Sequence, residues 1–61
     1  MGYVLILQMV LGTDIETIYK QFDEAYPCYL AEYEIKTMGL PATPQLKQYE
    51  GYEVIPRCYK K

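Results

Sequence analysis

A run of apolar residues near the start of the chain constrains the fold more than any other feature. Every position from Tyr3 to Leu11 is apolar except Gln8. The run is too short for a helix that crosses a bilayer, which needs about 20 residues. Read with a period of two, it presents bulky side chains on both faces. The run therefore predicts a central β-strand that is covered on both sides, although one helix can cover only one of them.

The next segment, Thr13–Tyr26, predicts an amphipathic helix. Thr13 and Glu16 have the spacing of a capping box, and Pro27 would end the helix. Apolar residues recur with a period near 3.6, which would place Tyr19 and Tyr26 in the core. The outer face of this helix would be acidic and would carry Asp14, Glu16, Asp23 and Glu24.

The rest of the chain predicts further strands. Alternating apolar and polar residues favour a strand over Tyr29–Met38. Two prolines and a glycine in residues 39–44 predict a loop. Short strands follow over Gln45–Glu50 and Tyr52–Arg57, with a hairpin turn at Glu50-Gly51. Pro56 has no N–H to donate, which places the last strand at a sheet edge or ends it there. Residues 58–61 would be a frayed basic tail.

Together these elements predict one α+β domain over residues 1–61. It would have a single small sheet of three to four strands, with one amphipathic helix on one face and a βαββ or βαβββ order. One helix leaves the other sheet face open, and a large exposed apolar patch marks an interaction site. We therefore expect a homodimer, with two units face to face or edge to edge. A different protein on the same face is the alternative.

The cysteine content favours a reduced protein without a metal. A 61-residue chain buries a small core, which disulfides, a metal or oligomerisation usually supplement. Cys28 and Cys58 are too few for a secreted disulfide framework, so we expect free thiols rather than one bridge. The chain has no His, and its two cysteines are far apart, which predicts no metal and no cofactor. No signal peptide or membrane span is recognisable, which predicts a cytoplasmic location.

Neither catalysis nor general nucleic-acid binding is favoured. The chain has no His and no Ser for a nucleophilic triad, and its four glycines are isolated, so we expect no enzyme activity. Residues 1–35 hold six acidic residues and Lys20 alone, a net charge of −5. Residues 36–61 hold five basic and two acidic residues, a net charge of +3. This uneven charge does not give the continuous basic face of a nucleic-acid binder, but it can steer a charged partner.

Eight tyrosines with no Trp are the strongest compositional signal, and they favour protein binding. The predicted contact residues are strand tyrosines together with the acidic helix face: Tyr29, Tyr33, Tyr49, Tyr52, Asp14, Glu16, Asp23 and Glu24. In size and composition the chain resembles the small accessory proteins of phages and mobile elements, which implies an inhibitor or adaptor of host machinery.

Two alternatives remain open. The first is a single-stranded nucleic-acid or regulatory binder whose sheet tyrosines stack on bases and whose Lys47, Arg57, Lys60 and Lys61 meet phosphates. Four glutamates interleave with the tyrosines and would repel phosphate: Glu32, Glu34, Glu50 and Glu53. The second is a structural subunit whose first strand completes a neighbour's sheet.

Overall fold

The computed structural model describes residues 2–41 and 43–61 and has a three-stranded antiparallel sheet with one helix on it. This confirms the predicted α+β class. The order along the chain is β-β-α-β, so the predicted βαββ and βαβββ orders are wrong. The elements are β1 (Tyr3–Leu11), β2 (Asp14–Phe22), α1 (Ala25–Met38), a short 3-10 turn (Lys47–Tyr49) and β3 (Glu53–Lys60).

The apolar run forms the central strand, as predicted. The strand order is β2-β1-β3, so both edges of β1 are paired. Leu5, Leu7 and Met9 point toward α1 and are buried there with Cys28. α1 packs on one face of the sheet and no other described element covers the opposite face, so the predicted open face is present. Its coverage by a second copy or another protein stays a prediction.

The segment predicted as a helix over Thr13–Tyr26 is instead mostly β2. Gly12 and Thr13 form a two-residue turn between β1 and β2, and Gly12 has φ +61°. Glycine at the first turn position matches the type II′ turn, whose twist suits a hairpin. The segment contains β-branched and aromatic residues that favour strands. Its apolar residues fit a helical period as well, and pairing with β1 decides in favour of the strand.

Conversely, α1 occupies the segment predicted as a strand over Tyr29–Met38. Cys28, Ala31 and Ile35 are three and four residues apart and face the sheet together. Pro27 does not end a helix but lies in the first turn of α1, where a backbone N–H has no helical partner to lose. Gly39 ends the helix at φ +82°, and its N–H donates to the carbonyl of Ile35 at 2.9 Å.

The connection from α1 to β3 agrees only in part with the elements predicted from the sequence. The loop predicted over residues 39–44 is confirmed for the described positions, and Ala42 lies outside them. No strand covers 45–50, where the described chain forms turns and the 3-10 turn. Glu50-Gly51 therefore joins no two strands, although Gly51 does turn the chain at φ +92°.

β3 extends further than predicted. The predicted frayed tail is largely part of this strand, and the N–H of Lys61 donates to the carbonyl of Gly2 at 2.9 Å. The predicted edge position of Pro56 is confirmed, because β3 pairs with β1 alone. Hydrogen bonds alternate along an antiparallel pair, so the Lys61 bond places the N–H groups of even-numbered β3 residues on the outer side. Pro56 occupies such an outward position, where it interrupts no bond to β1.

A disulfide joins α1 to β3. Cys28 and Cys58 are bonded, with their Cα atoms 6.0 Å apart, so the prediction of free thiols is wrong. The two cysteines are 30 positions apart in the sequence, and only the packing of α1 against β3 brings them together. Residue spacing alone contained no sign of this packing, because both cysteines were assigned to other elements.

Candidate partner-binding surfaces

The sheet face opposite α1 is an uncovered, largely apolar surface, and we call it the open face. The strand register determines its members, since residues directly opposite each other in an antiparallel pair point to the same side. These members are Val4, Ile6, Gln8 and Val10 of β1, Ile15, Thr17, Tyr19 and Gln21 of β2, and Glu53, Ile55, Arg57 and Tyr59 of β3.

Apolar side chains dominate the open face across all three strands. Ile15, Tyr19 and Tyr59 are 56%, 64% and 47% exposed. Ile6 and Ile55 lie between them and are half-buried. A shallow depression of about 300 Å³ lies among these side chains. Such a patch, wide and apolar with polar groups around it, has the composition of the centre of a protein interface.

Charge on the open face is sparse and localised. Arg57 lies on β3 across Ile6 from Tyr19 and two residues before Tyr59, and it lines the depression with both tyrosines. Glu53 is the acidic member, at the far end of β3. At the opposite end, the Nζ of Lys61 donates to the Oε1 of Gln21 at 2.6 Å. A ligand in the depression would therefore meet one guanidinium, from edge strand β3, beside apolar side chains.

The acidic residues predicted to lie on a helix face do not form one surface. Asp14 and Glu16 lie on β2 and point to the α1 side of the sheet, while Asp23 and Glu24 lie in the connection to α1. Asp14 has an intramolecular partner, because its carboxylate accepts a hydrogen bond from the hydroxyl of Tyr52. This bond, with smaller effects of burial and nearby charge, raises the pKa of Tyr52 above its usual value.

The predicted contact tyrosines also lie away from the open face. Tyr29 and Tyr33 are on α1, where Tyr29 packs edge to face on Tyr3 with ring centres 6.1 Å apart. Tyr49 and Tyr52 form a second edge-to-face pair at 5.5 Å. Both pairs therefore have a packing role within the protein.

The open face has two tyrosines of its own, which sequence reasoning did not place there. The sequence predicts Tyr19 in the core side of a helix and Tyr59 in a frayed tail. Tyr26, also predicted to lie in the core, is exposed on α1. A period-two reading of Ile15–Gln21 was the available signal for Tyr19.

A separate feature is a cleft of about 830 Å³ beside the C-terminal end of α1. Its apolar lining comes from α1, the loop and the start of β3, and Tyr49 and Tyr52 are part of it. Lys36 and Lys47 lie at this cleft as well. The cleft thus contains two of the predicted contact residues, but its aromatic walls also pack on the core under α1.

Across residues 2–41 and 43–61, no three His, Cys, Asp or Glu side chains gather where they could hold a metal ion. No helix in this part of the chain has the length and apolar character needed to cross a membrane. Comparison with known protein families, curated proteins and solved structures finds no significant match. Geometry and residue chemistry therefore supply the basis for a functional proposal.

Proposed function

We propose that the protein is a small non-enzymatic binding module that attaches to another protein through the open face and acts as an inhibitor or adaptor. The observation that most supports this proposal is the exposure of Ile15, Tyr19 and Tyr59 on one continuous sheet surface. Burial of apolar area is the main driving force of protein association, and tyrosine is enriched among the residues that contribute most to it.

The residues of the open face indicate which residue types the partner surface would present. The depression beside Arg57 suits an apolar side chain, and the guanidinium would pair with a carboxylate next to it. We therefore propose a partner surface with a bulky apolar residue beside an Asp or Glu. The acidic residues initially predicted as contacts would act only through long-range attraction, because they lie outside this surface.

A pair of matched variants tests this surface. Arg57→Ala/Tyr59→Ala removes the charge beside the depression and one ring from the open face, while Tyr33→Ala removes a more exposed ring from α1 on the opposite side. A protein captured by the tagged wild type from nuclease-treated source-cell lysate, and then purified, would be titrated against each variant. We expect the double variant to weaken binding at least about tenfold and Tyr33→Ala to leave it unchanged. Equal binding by the double variant would refute the proposal.

A second candidate function is single-stranded nucleic-acid binding on the same face. The observation that favours it is that Arg57, Tyr19 and Tyr59 share the open face, while Glu32 and Glu34 lie on α1 instead of among these rings. Two rings and a guanidinium can stack on bases and contact phosphate. Titration with a labelled oligonucleotide tests this candidate, and its affinity should fall steeply with salt.

The strand order argues against the mechanism proposed for a structural subunit, which is pairing of the first strand with a neighbour's sheet. That hypothesis required the first strand to complete a neighbour's sheet, but β1 already pairs with β2 and β3 and has no free edge. Any strand addition would have to use an outer edge of β2 or β3.

The disulfide also bears on where the protein works. The sequence predicts free thiols and a cytoplasmic location together, and a Cys28–Cys58 bond weighs against both, since such bonds persist mainly in oxidising compartments. We propose that the protein functions in its oxidised form. Rapid alkylation of thiols in intact source cells, followed by mass spectrometry, would find both cysteines unlabelled; labelled cysteines would contradict this.

A further inference from the structure

We infer that β2 forms a homodimer by pairing antiparallel with β2 of a second copy in a single register centred on Ile18. This joins two sheets into one of six strands. The inference concerns the free edge of β2 and does not require the open face to bind another protein. It is argued from the hydrogen-bond direction, the sequence of β2 and the contrast with β3.

The outer edge of β2 is long and unobstructed. Even-numbered β1 residues bond to β3, as the bond between Gly2 and Lys61 shows, so odd-numbered β1 residues bond to β2. The register then directs the N–H and C=O groups of alternate β2 residues outward: Ile15, Thr17, Tyr19 and Gln21. Within residues 2–41 and 43–61, no backbone hydrogen bond uses these groups. An edge with a row of unpaired backbone groups is a template for another strand.

The edge of β3, by contrast, is blocked. Pro56 offers no N–H at an outward position, and the outward N–H of Cys58 donates to the Oε1 of Glu32 at 2.7 Å. Proline and covered donors are the usual protection of an edge strand. One edge of this sheet is therefore protected, while the other is left free.

The sequence of β2 is complementary to itself in the register centred on Ile18. Pairing the whole of Asp14–Phe22 antiparallel with its copy places Glu16 opposite Lys20 of the second copy, and Lys20 opposite its Glu16. The two Ile18 side chains meet on the symmetry axis. Opposite charges directly across a strand pair stabilise it.

This register also satisfies the hydrogen-bond geometry. The outward-facing residues pair with each other, Ile15 with Gln21 and Thr17 with Tyr19, so every outward N–H meets an outward carbonyl. The helix does not obstruct the approach, because α1 packs mainly over β1 and β3. Both copies use the same surface, as a two-fold dimer requires.

Proline substitution at matched positions tests the edge. Thr17→Pro removes an outward N–H from β2, and Lys60→Pro removes one from β3; neither N–H bonds to β1. Sedimentation equilibrium should show a dimer for wild type and Lys60→Pro. For Thr17→Pro, with circular dichroism checking the fold, we expect dimerisation about thirtyfold weaker, the effect of two lost hydrogen bonds. A monomeric wild type, or an unchanged dimer in Thr17→Pro, would overturn the inference.

Charge reversal tests the register. Glu16→Lys should weaken the dimer about tenfold by placing like charges opposite each other, and Glu16→Lys/Lys20→Glu should restore it. Failure of the double variant to restore dimerisation would exclude this register. Hydrogen exchange gives an independent readout, because the amides of the four outward residues should become protected with rising concentration. The open-face variant Arg57→Ala/Tyr59→Ala should dimerise normally, so loss of its dimer would point to face-to-face pairing and overturn the inference.

Discussion

The carboxylate of Glu32 accepts a hydrogen bond from the backbone N–H of Cys58 at 2.7 Å, beside the disulfide that ties the same residue to Cys28. Cys58 is therefore held to α1 twice, by a covalent bond and by a charged acceptor one helical turn further along. The Nζ of Lys36 lies 3.5 Å from the other carboxylate oxygen of Glu32. This arrangement fixes α1 over β3 and leaves β2 less covered.

The disulfide should contribute a large share of the stability. Its closure of a loop with a sequence separation of 30 predicts that reduction lowers the free energy of unfolding by about 3–4 kcal/mol. Urea denaturation with and without reductant measures this difference. Cys28→Ala/Cys58→Ala serves as a control and should be insensitive to reductant. Equal denaturation midpoints for the oxidised and reduced wild type would contradict the prediction.

Removal of the Glu32 acceptor should show how much stability its hydrogen bond contributes, separately from the disulfide. Glu32→Ala leaves the N–H of Cys58 without its partner and should lower the free energy of unfolding by about 1 kcal/mol in the oxidised protein. Glu32→Gln keeps a neutral acceptor and should lose less. Glu34→Ala, an exposed glutamate on the same helix, is the matched control and should have little effect on the denaturation midpoint. A Glu34→Ala loss as large as that of Glu32→Ala would show that the loss of a carboxylate from α1, rather than of this particular bond, is responsible.

Tyr52 should ionise at a higher pH than an ordinary tyrosine. Its pKa is raised above 10.0 chiefly because its hydroxyl donates to Asp14. A raised pKa in the folded state means that this contribution to stability is complete below the unfolded pKa of about 10 and is lost as the pH rises through the folded value.

Phenolate absorbance during alkaline titration measures this ionisation. Tyr52→Phe should remove the late-titrating phase, and Asp14→Asn should move it to lower pH. Tyr49→Phe removes the neighbouring hydroxyl but keeps its ring and the Tyr52–Asp14 hydrogen bond, so it should leave the late phase in place. A late phase that survives in Tyr52→Phe would assign it to another tyrosine.

The turn between β1 and β2 should tolerate only residues that accept a positive φ. A Cβ at Gly12 would meet no atom within 4 Å, so the cost of Gly12→Ala arises from its φ of +61° alone. We expect a loss of about 1 kcal/mol in thermal or urea unfolding. Gly12→Asn should lose less, because asparagine adopts this conformation more readily. An alanine variant as stable as wild type would show that the turn changes type.

Period counting failed where a segment satisfied two patterns at once. The apolar residues of Thr13–Tyr26 recur as in a helix, yet Ile15, Thr17 and Tyr19 also line one face of a strand. The reverse holds in α1, where Tyr29–Met38 alternates like a strand while Cys28, Ala31 and Ile35 share a helical face. Pro27 was ambiguous for the same reason, because a proline both follows helices and begins them.

The candidate surface depended on these assignments. An open apolar sheet face follows from one helix on one small sheet and was predicted without the strand order. Its members were not, since Tyr19 reaches that face only through the register of β2 with β1. The four acidic residues predicted to share one helix face do not share a surface, because most of that segment is strand β2.

By itself, the sequence determined the α+β class, the central position of the apolar strand and the edge position of Pro56, because burial of a continuous apolar run and the missing N–H of proline act locally. Only the tertiary structure decided which segment became the helix, how Cys28 met Cys58, and which side chains shared the open face. Those outcomes depend on contacts between residues far apart in the chain. Such contacts select between local conformations that are nearly equal in free energy.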